Sequence, residues 1–282
     1  MSVARLACAR QKPKGARCRM AEAEQAKAKP VPEKYTLPLT QQEWNAVFSD
    51  LLQKPQQLFL IAKFRQFAAQ RRAAYFRRQD KVAATPATSI SYTLDWNQEK
   101  MDQFVEGQVS RLILPLISID PIATQMDSVR LLSVGPRNEM ELLLLIGLGL
   151  TPDNIKAIDL ISNSPLVDVG DMHAIPFPDD SFDALTCGWT LPYSRDHARA
   201  VGEMIRVTRP GGLIALGLTR IPPGHADFET AVKEGTHPYQ SVEELLRLFG
   251  EHVDEVPFRH EPRDRSKKGA LMTIVRIRKA SR

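Results

Sequence analysis

The sequence predicts an α/β fold: a doubly wound, mostly parallel sheet of seven strands with an α-helical N-terminal extension. Three observations predict it. From Val129 onward, short apolar runs alternate with helical stretches, the rhythm of strand–crossover–strand units. The first of these runs ends in a glycine, Gly135, directly before a helical stretch. Before residue 115, apolar residues recur instead at helical spacing.

Residues 1–34 read as a disordered basic tail, rich in Ala, Lys, Arg, Glu and Pro, with almost nothing to bury. No acid precedes Glu22, which is also the pattern of an organelle transit peptide. Residues 35–90 read as a helical extension. Thr40-Gln41-Gln42-Glu43 has the form of a capping box, and Trp44, Val47, Phe48, Leu51 and Leu52 follow at helical spacing. Pro55 ends that helix. A second is expected over 57–79, with Leu60, Ile61, Phe64, Phe67 and Ala68 among basic residues, then a loop over 83–91. A third amphipathic helix is expected over 97–114, with Met101, Phe104, Val105, Val109, Leu112 and Ile113 on one face.

Strands are expected at 129–134, 155–159, 166–169, 182–187, 212–218, 252–258 and 270–277. Helices are expected at 138–148, 195–207 and 241–249, and 221–240 reads as irregular. No apolar run approaches the roughly 18–20 residues that span a bilayer. The three cysteines, Cys8, Cys18 and Cys187, form neither a disulfide framework nor a zinc-ligand spacing. A reducing, cytoplasmic setting is therefore expected, or an organelle if residues 1–20 are a transit peptide. The net charge of +5 is concentrated in the N-terminus and in Lys63–Lys81. That basic helix would suit RNA, an acidic membrane surface or a partner. It could equally be a solvated face over a stripe that covers the domain's pocket. No nucleic-acid-binding module is visible.

Four features carrying chemistry occur in order. The first run ends at Gly135. The second, Ile155-Lys156-Ala157-Ile158-Asp159, ends in a carboxylate placed to accept the hydroxyls of a ribose. Gly170-Asp171-Met172-His173-Ala174-Ile175-Pro176-Phe177 and Asp180-Ser181-Phe182-Asp183 come next. Last is Glu203-Met204-Ile205-Arg206-Val207-Thr208-Arg209-Pro210-Gly211-Gly212.

Through VRLLSVGPRNE, AIDL, GDMHAIPFPDDSFDAL and EMIRVTRPGGLIALG, residues 128–219 resemble the class I S-adenosylmethionine-dependent methyltransferases, a Rossmann-like family. The resemblance implies a methyltransferase domain over 91–282, S-adenosylmethionine as cofactor and a small-molecule methyl acceptor. It implies that Gly135 forms the turn under the methionine part. Asp159 would bind the ribose and Asp171 the adenine amino group. The Met172 amide would face an adenine nitrogen, and Gly188 and Trp189 would line the space beside the sulfonium. The family's acid two residues before the first glycine is here Ser133, and its next two glycines are Arg137 and Glu139. The helix expected from Asn138 offers N–H groups for a carboxylate. Arg137 could pair with that carboxylate, and Glu139 could approach the cofactor's ammonium.

A general base is sought among His173, His197, His225, His237 and Tyr193. His173 reads as structural, and Tyr193 as a pocket wall. Two function classes stay open: an active methyltransferase with a rebuilt loop, or a non-catalytic cofactor-binding or scaffold protein. A nicotinamide dehydrogenase would need a G-x-G-x-x-G turn, which Gly135-Pro136-Arg137-Asn138 does not provide.

Overall fold

A computed structural model describes residues 38–78, 83–84, 110–162 and 164–279. The expected tail and most of the helix expected at 97–114, with Met101, Phe104, Val105 and Val109, lie outside the described residues.

The seven strands are β1 (Leu131–Val134), β2 (Ile155–Asp159), β3 (Asp168–Val169), β4 (Phe182–Gly188), β5 (Thr208–Arg220), β6 (Val253–His260) and β7 (Gly269–Ile277). Their order across the sheet is β3-β2-β1-β4-β5-β7-β6. β1 to β5 are mutually parallel. β7 lies antiparallel between β5 and β6. The chain therefore runs outward from β1 to β3, then returns to β4 on the other side of β1. Ligands of such sheets bind in the crevice outside the strand C-termini at this reversal.

The inner strands are apolar on both faces, as parallel strands covered by helices must be. In β1, Leu132 and Val134 join the core beneath α6 (His197–Val207) and α8 (Val242–Arg247). Leu131 joins the opposite core, under α5 (Met140–Leu148) and α3 (Ser110–Ile117). Cys187 on β4 is fully buried, and burial pushes its thiol up to about 12, so it serves as a small core residue.

The N-terminal extension packs on α5. The capping box forms: the Glu43 amide donates to Thr40 Oγ1 at 3.3 Å, and the Thr40 amide donates to Glu43 Oε2 at 2.7 Å. It starts α1 (Gln41–Leu51). The expected helix at 57–79 is two elements, a 3-10 turn (Pro55–Leu60) and α2 (Ala62–Arg78), with Ile61 extended between them. The face that α2 buries also differs from expectation. Leu60 and Ile61 are exposed, whereas Arg65, Ala69 and Ala73 are buried. Small side chains let the extension approach closely. Likewise, a β-carbon on Gly147 of α5 would lie 2.9 Å from the Phe59 carbonyl carbon. Two further expectations are corrected. Ala83–Ala84 pairs with Ile161–Ser162 as a short antiparallel ladder rather than a loop. The stretch 221–240 contains α7 (Ala226–Lys233), which buries no residue and so left no periodic apolar signal.

Two of the quoted motifs hold each other. Arg206 on α6 donates to both carboxylate oxygens of Glu203, at 2.7 and 2.8 Å. It also donates to the Ile175 and Phe177 carbonyls and to Asp179. Glu203 in turn accepts the Ile175 amide. The loop before β4 is thus riveted to the helix after it. The hydrogen bonds from Arg206 hold the Glu203 carboxyl below its ordinary value of 4.5. A depressed carboxyl contributes stability at neutral pH that is lost as pH falls through its folded-state value. Arg206→Met should cost about 2 kcal/mol at pH 7, allowing for its partial exposure. In urea melts, the gap between wild type and variant should narrow at pH 3; a gap independent of pH would show that the ion pair contributes nothing.

Candidate active site

The site is built where β1, β2 and β4 end. After Val134 the chain turns through Gly135 (φ 72°), whose amide donates to the Ile158 carbonyl at 2.8 Å. Arg137 is also left-handed, at φ 60°, a conformation uncommon for a residue with a β-carbon. Its amide donates to Asp159 Oδ2 at 2.8 Å. Burial raises the Asp159 carboxyl, and the amide bonds it accepts work against that rise.

Across the crevice, β4 ends at Gly188, and Trp189 follows at φ 58°. The indole Nε1–H donates to Thr219 on β5 at 2.9 Å, and the ring packs over Gly217, where a β-carbon would lie 2.9 Å away. Two of the three left-handed non-glycine residues described therefore flank the reversal between β1 and β4. Strained backbone of this kind gathers at ligand sites.

The next residue spans the gap. Thr190 Oγ1 lies 3.0 Å from the Gly135 carbonyl oxygen and 3.2 Å from that of Gly188. Two carbonyls from different strands thus converge on one donor position. Gly135 must lack a side chain, because a β-carbon would stand 2.4 Å from Thr190 Cγ2.

The other expected residues lie as follows. α5 begins at Met140 rather than Asn138, and Asn138 Oδ1 accepts the Met140 amide, so that group is already used. Glu139 is turned away from the crevice. Its carboxylate meets Arg72 of α2, with Nε 2.8 Å from Oε2, and accepts from Ser164. Burial raises it, opposed by Ser164 and Arg72. Asp171 Oδ1 accepts the His173 amide at 2.9 Å, and Met172 is buried in the core beneath α6. His173 is structural, as expected: its buried ring bridges Asp171 and Ser194.

Among the base candidates, His225 caps α7, its Nδ1 accepting the Asp227 amide at 3.1 Å. Tyr193 ends the single turn Leu191–Tyr193 beside Thr190. His237 is exposed, and its amide donates to the Pro192 carbonyl at 3.0 Å. Its ring packs with Tyr239 and His197, centroids 4.3 and 5.1 Å away. Burial lowers the His197 imidazole, and His237 beside it adds to that. Sequence reasoning missed this triple, whose members are brought together only by the return of the chain after β5.

The overlap between positions 135 and 190 can be tested. Gly135→Ala should cost about 1–2 kcal/mol for the left-handed backbone alone and more for the collision. Adding Thr190→Ala should recover part of the loss in thermal melts. Strict additivity of the two substitutions would mean that they do not touch.

Residues 138–216 match the family model described as a methyltransferase domain, a match that starts just past the Gly135 turn. A demethylmenaquinone methyltransferase of Mycobacterium sp. (strain KMS) is 43% identical over 65 residues, covering 23% of this chain and 28% of that one. Another, from Desulfitobacterium hafniense (strain Y51), is 30% identical over 135 residues, covering 45% and 50%. The chain thus spans half or less of the length of these curated relatives. Among solved structures, the N-methyltransferase NodS from Bradyrhizobium japonicum WM9, in complex with S-adenosyl-L-homocysteine, is 13% identical. It covers 66% of this chain and 98% of that one, at a TM-score of 0.47. Residues 138–216, which lie within the seven-stranded sheet, are thus similar to the methyltransferase-domain family.

Proposed function

We propose that this chain is an S-adenosylmethionine-dependent methyltransferase acting on a small-molecule acceptor. One observation carries the reading. At the reversal between β1 and β4, two backbone carbonyls converge on a single donor position, and the Asp159 carboxylate ends the neighbouring strand. These groups fit a ligand with an ammonium at one end and a ribose further along.

When bound, S-adenosylmethionine supplies a methyl group already activated on sulfur, so catalysis is mainly alignment and exclusion of water. Asp159 would orient the ribose, and its hold on the Arg137 amide keeps the loop in place. Asp171 and the Met172 amide would face the adenine, and Gly188 with Trp189 would wall the reacting space. Trp189 is locked to Thr219 and Gly217, which suits a rigid wall. A nucleophile that must lose a proton needs a base. His237 fits better than His225, whose Nδ1 is occupied by its helix cap. The relatives' names offer a first acceptor class to test, a demethylated menaquinone.

A second reading, a non-catalytic scaffold, is favoured by one feature. Part of the loop's polar surface is satisfied internally: Glu139 Oε1 accepts from Arg72 and Ser164, and the Thr190 hydroxyl lies within donating distance of either carbonyl.

Calorimetric titration with S-adenosylmethionine and S-adenosylhomocysteine separates the two readings. Micromolar binding is expected. Asp159→Asn keeps an acceptor for the Arg137 amide but removes the charge, and should weaken binding about tenfold. No binding by the wild type would leave the scaffold reading. Binding untouched by Asp159→Asn would show that the ribose lies elsewhere.

A further inference from the structure

One buried charge-bearing group has no part in the reading above. Glu141 stands in the first turn of α5, amid buried Leu142, Leu143 and Leu145. It is 7% exposed. Its Oε1 accepts the Ser133 hydroxyl at 2.8 Å and the Thr186 hydroxyl at 2.6 Å, while Oε2 accepts neither. Among the described residues, no Lys, Arg or His pairs with it. A carboxylate in such surroundings is costly unless a cation compensates it. Packing alone would be served as well by a neutral side chain on an otherwise apolar helix.

Its location says which cation. Ser133 and Thr186 are register partners on β1 and β4, the strands that flank the reversal. Each lies two residues before a strand-end glycine, Gly135 or Gly188, about 7 Å of strand. The Glu141 carboxyl thus bridges the two strands just short of the ends at which the crevice opens. The family resemblance puts an acid where this chain has Ser133, and here the acid arrives from α5 and is hydrogen-bonded to that serine.

We propose, resting on the methyltransferase reading, that Glu141 is a ligand-binding residue whose carboxylate balances the ammonium at the amino-acid end of the cofactor. The acid that β1 lacks has moved across to the helix. Burial raises the carboxyl in the structure described, with Thr186 and Ser133 opposing the rise. A cation above it would draw it into the charged form.

The test is calorimetry on the full chain with two probes. S-adenosylhomocysteine carries the ammonium; 5′-methylthioadenosine lacks the whole amino-acid end. Glu141→Gln should weaken the first about tenfold or more and leave the second unchanged, with the ligand-free melting temperature unchanged or raised. The exchange Ser133→Glu with Glu141→Ser should restore binding of S-adenosylhomocysteine relative to Glu141→Ser alone. Unaltered binding of that ligand by Glu141→Gln, or equal weakening of both probes, overturns the proposal. So does an exchange variant that melts like wild type and gains nothing over Glu141→Ser. A wild type that binds neither probe fails the methyltransferase reading itself, a different result from a wild type that binds and a Glu141→Gln variant that binds equally well.

Discussion

A single hydrogen bond shapes the loop on which the site is built: the Arg137 amide donating to the Asp159 carboxylate at 2.8 Å. It ties the turn after β1 to the end of β2 and lets a non-glycine residue stay left-handed at φ 60°. A glycine-rich loop reaches such a shape because glycine pays no steric penalty there. This loop reaches it through a buried acceptor. Asp159 therefore already serves the protein, whatever a ligand would ask of it in the proposed function. The rest of the crevice follows from that geometry, including the position of Gly135 against Thr190.

The second constraint is the way the N-terminal extension enters the site's structure. Arg72 of α2 meets Glu139 immediately before α5, and Phe59 presses on Gly147 near the other end of that helix. The helix that follows the β1 turn is thus braced at both ends by residues of the N-terminal extension. An extension attached this way sets the pose of α5 rather than lying on it passively, which links residues 59–72 to the loop through that helix.

Much of the sheet was legible in the sequence because its signals are local. β2 has the bounds its apolar run suggested, and Gly135 and Asp159 fall at strand ends because a strand-forming run stops there. What was not legible depends on distant partners. Glu141 reads as one acid in a leucine-rich helix until Thr186, 45 residues on, is seen to bond it. The Arg206 rivet needs the loop 29 residues upstream. In α2, the search for large apolar residues missed Ala69 and Ala73, because close helix packing selects for small side chains, whereas Phe64 and Phe67 are half-buried and pack on each other. The extra helix α7 was hidden because it buries nothing. Of the candidate site, the positions on strand ends could be named in advance, but the direction in which Glu139 points could not.

The order of strands has a consequence for how the chain is made. β7 is the last of the seven strands in sequence, yet it lies between β5 and β6 rather than at an edge. Until residues 269–277 have left the ribosome, β5 and β6 have no ladder to join them, and each exposes an unpaired row of amides and carbonyls. The nascent chain can assemble the parallel half of the sheet early, but the antiparallel half must wait for its central member. During that interval the open edge of β5 is a place where another chain could add, a hazard natural sheets otherwise keep covered. Synthesis of the final strand is therefore the step that closes the fold, and a chain cut short before it would lose an interior strand rather than an ornament at the rim.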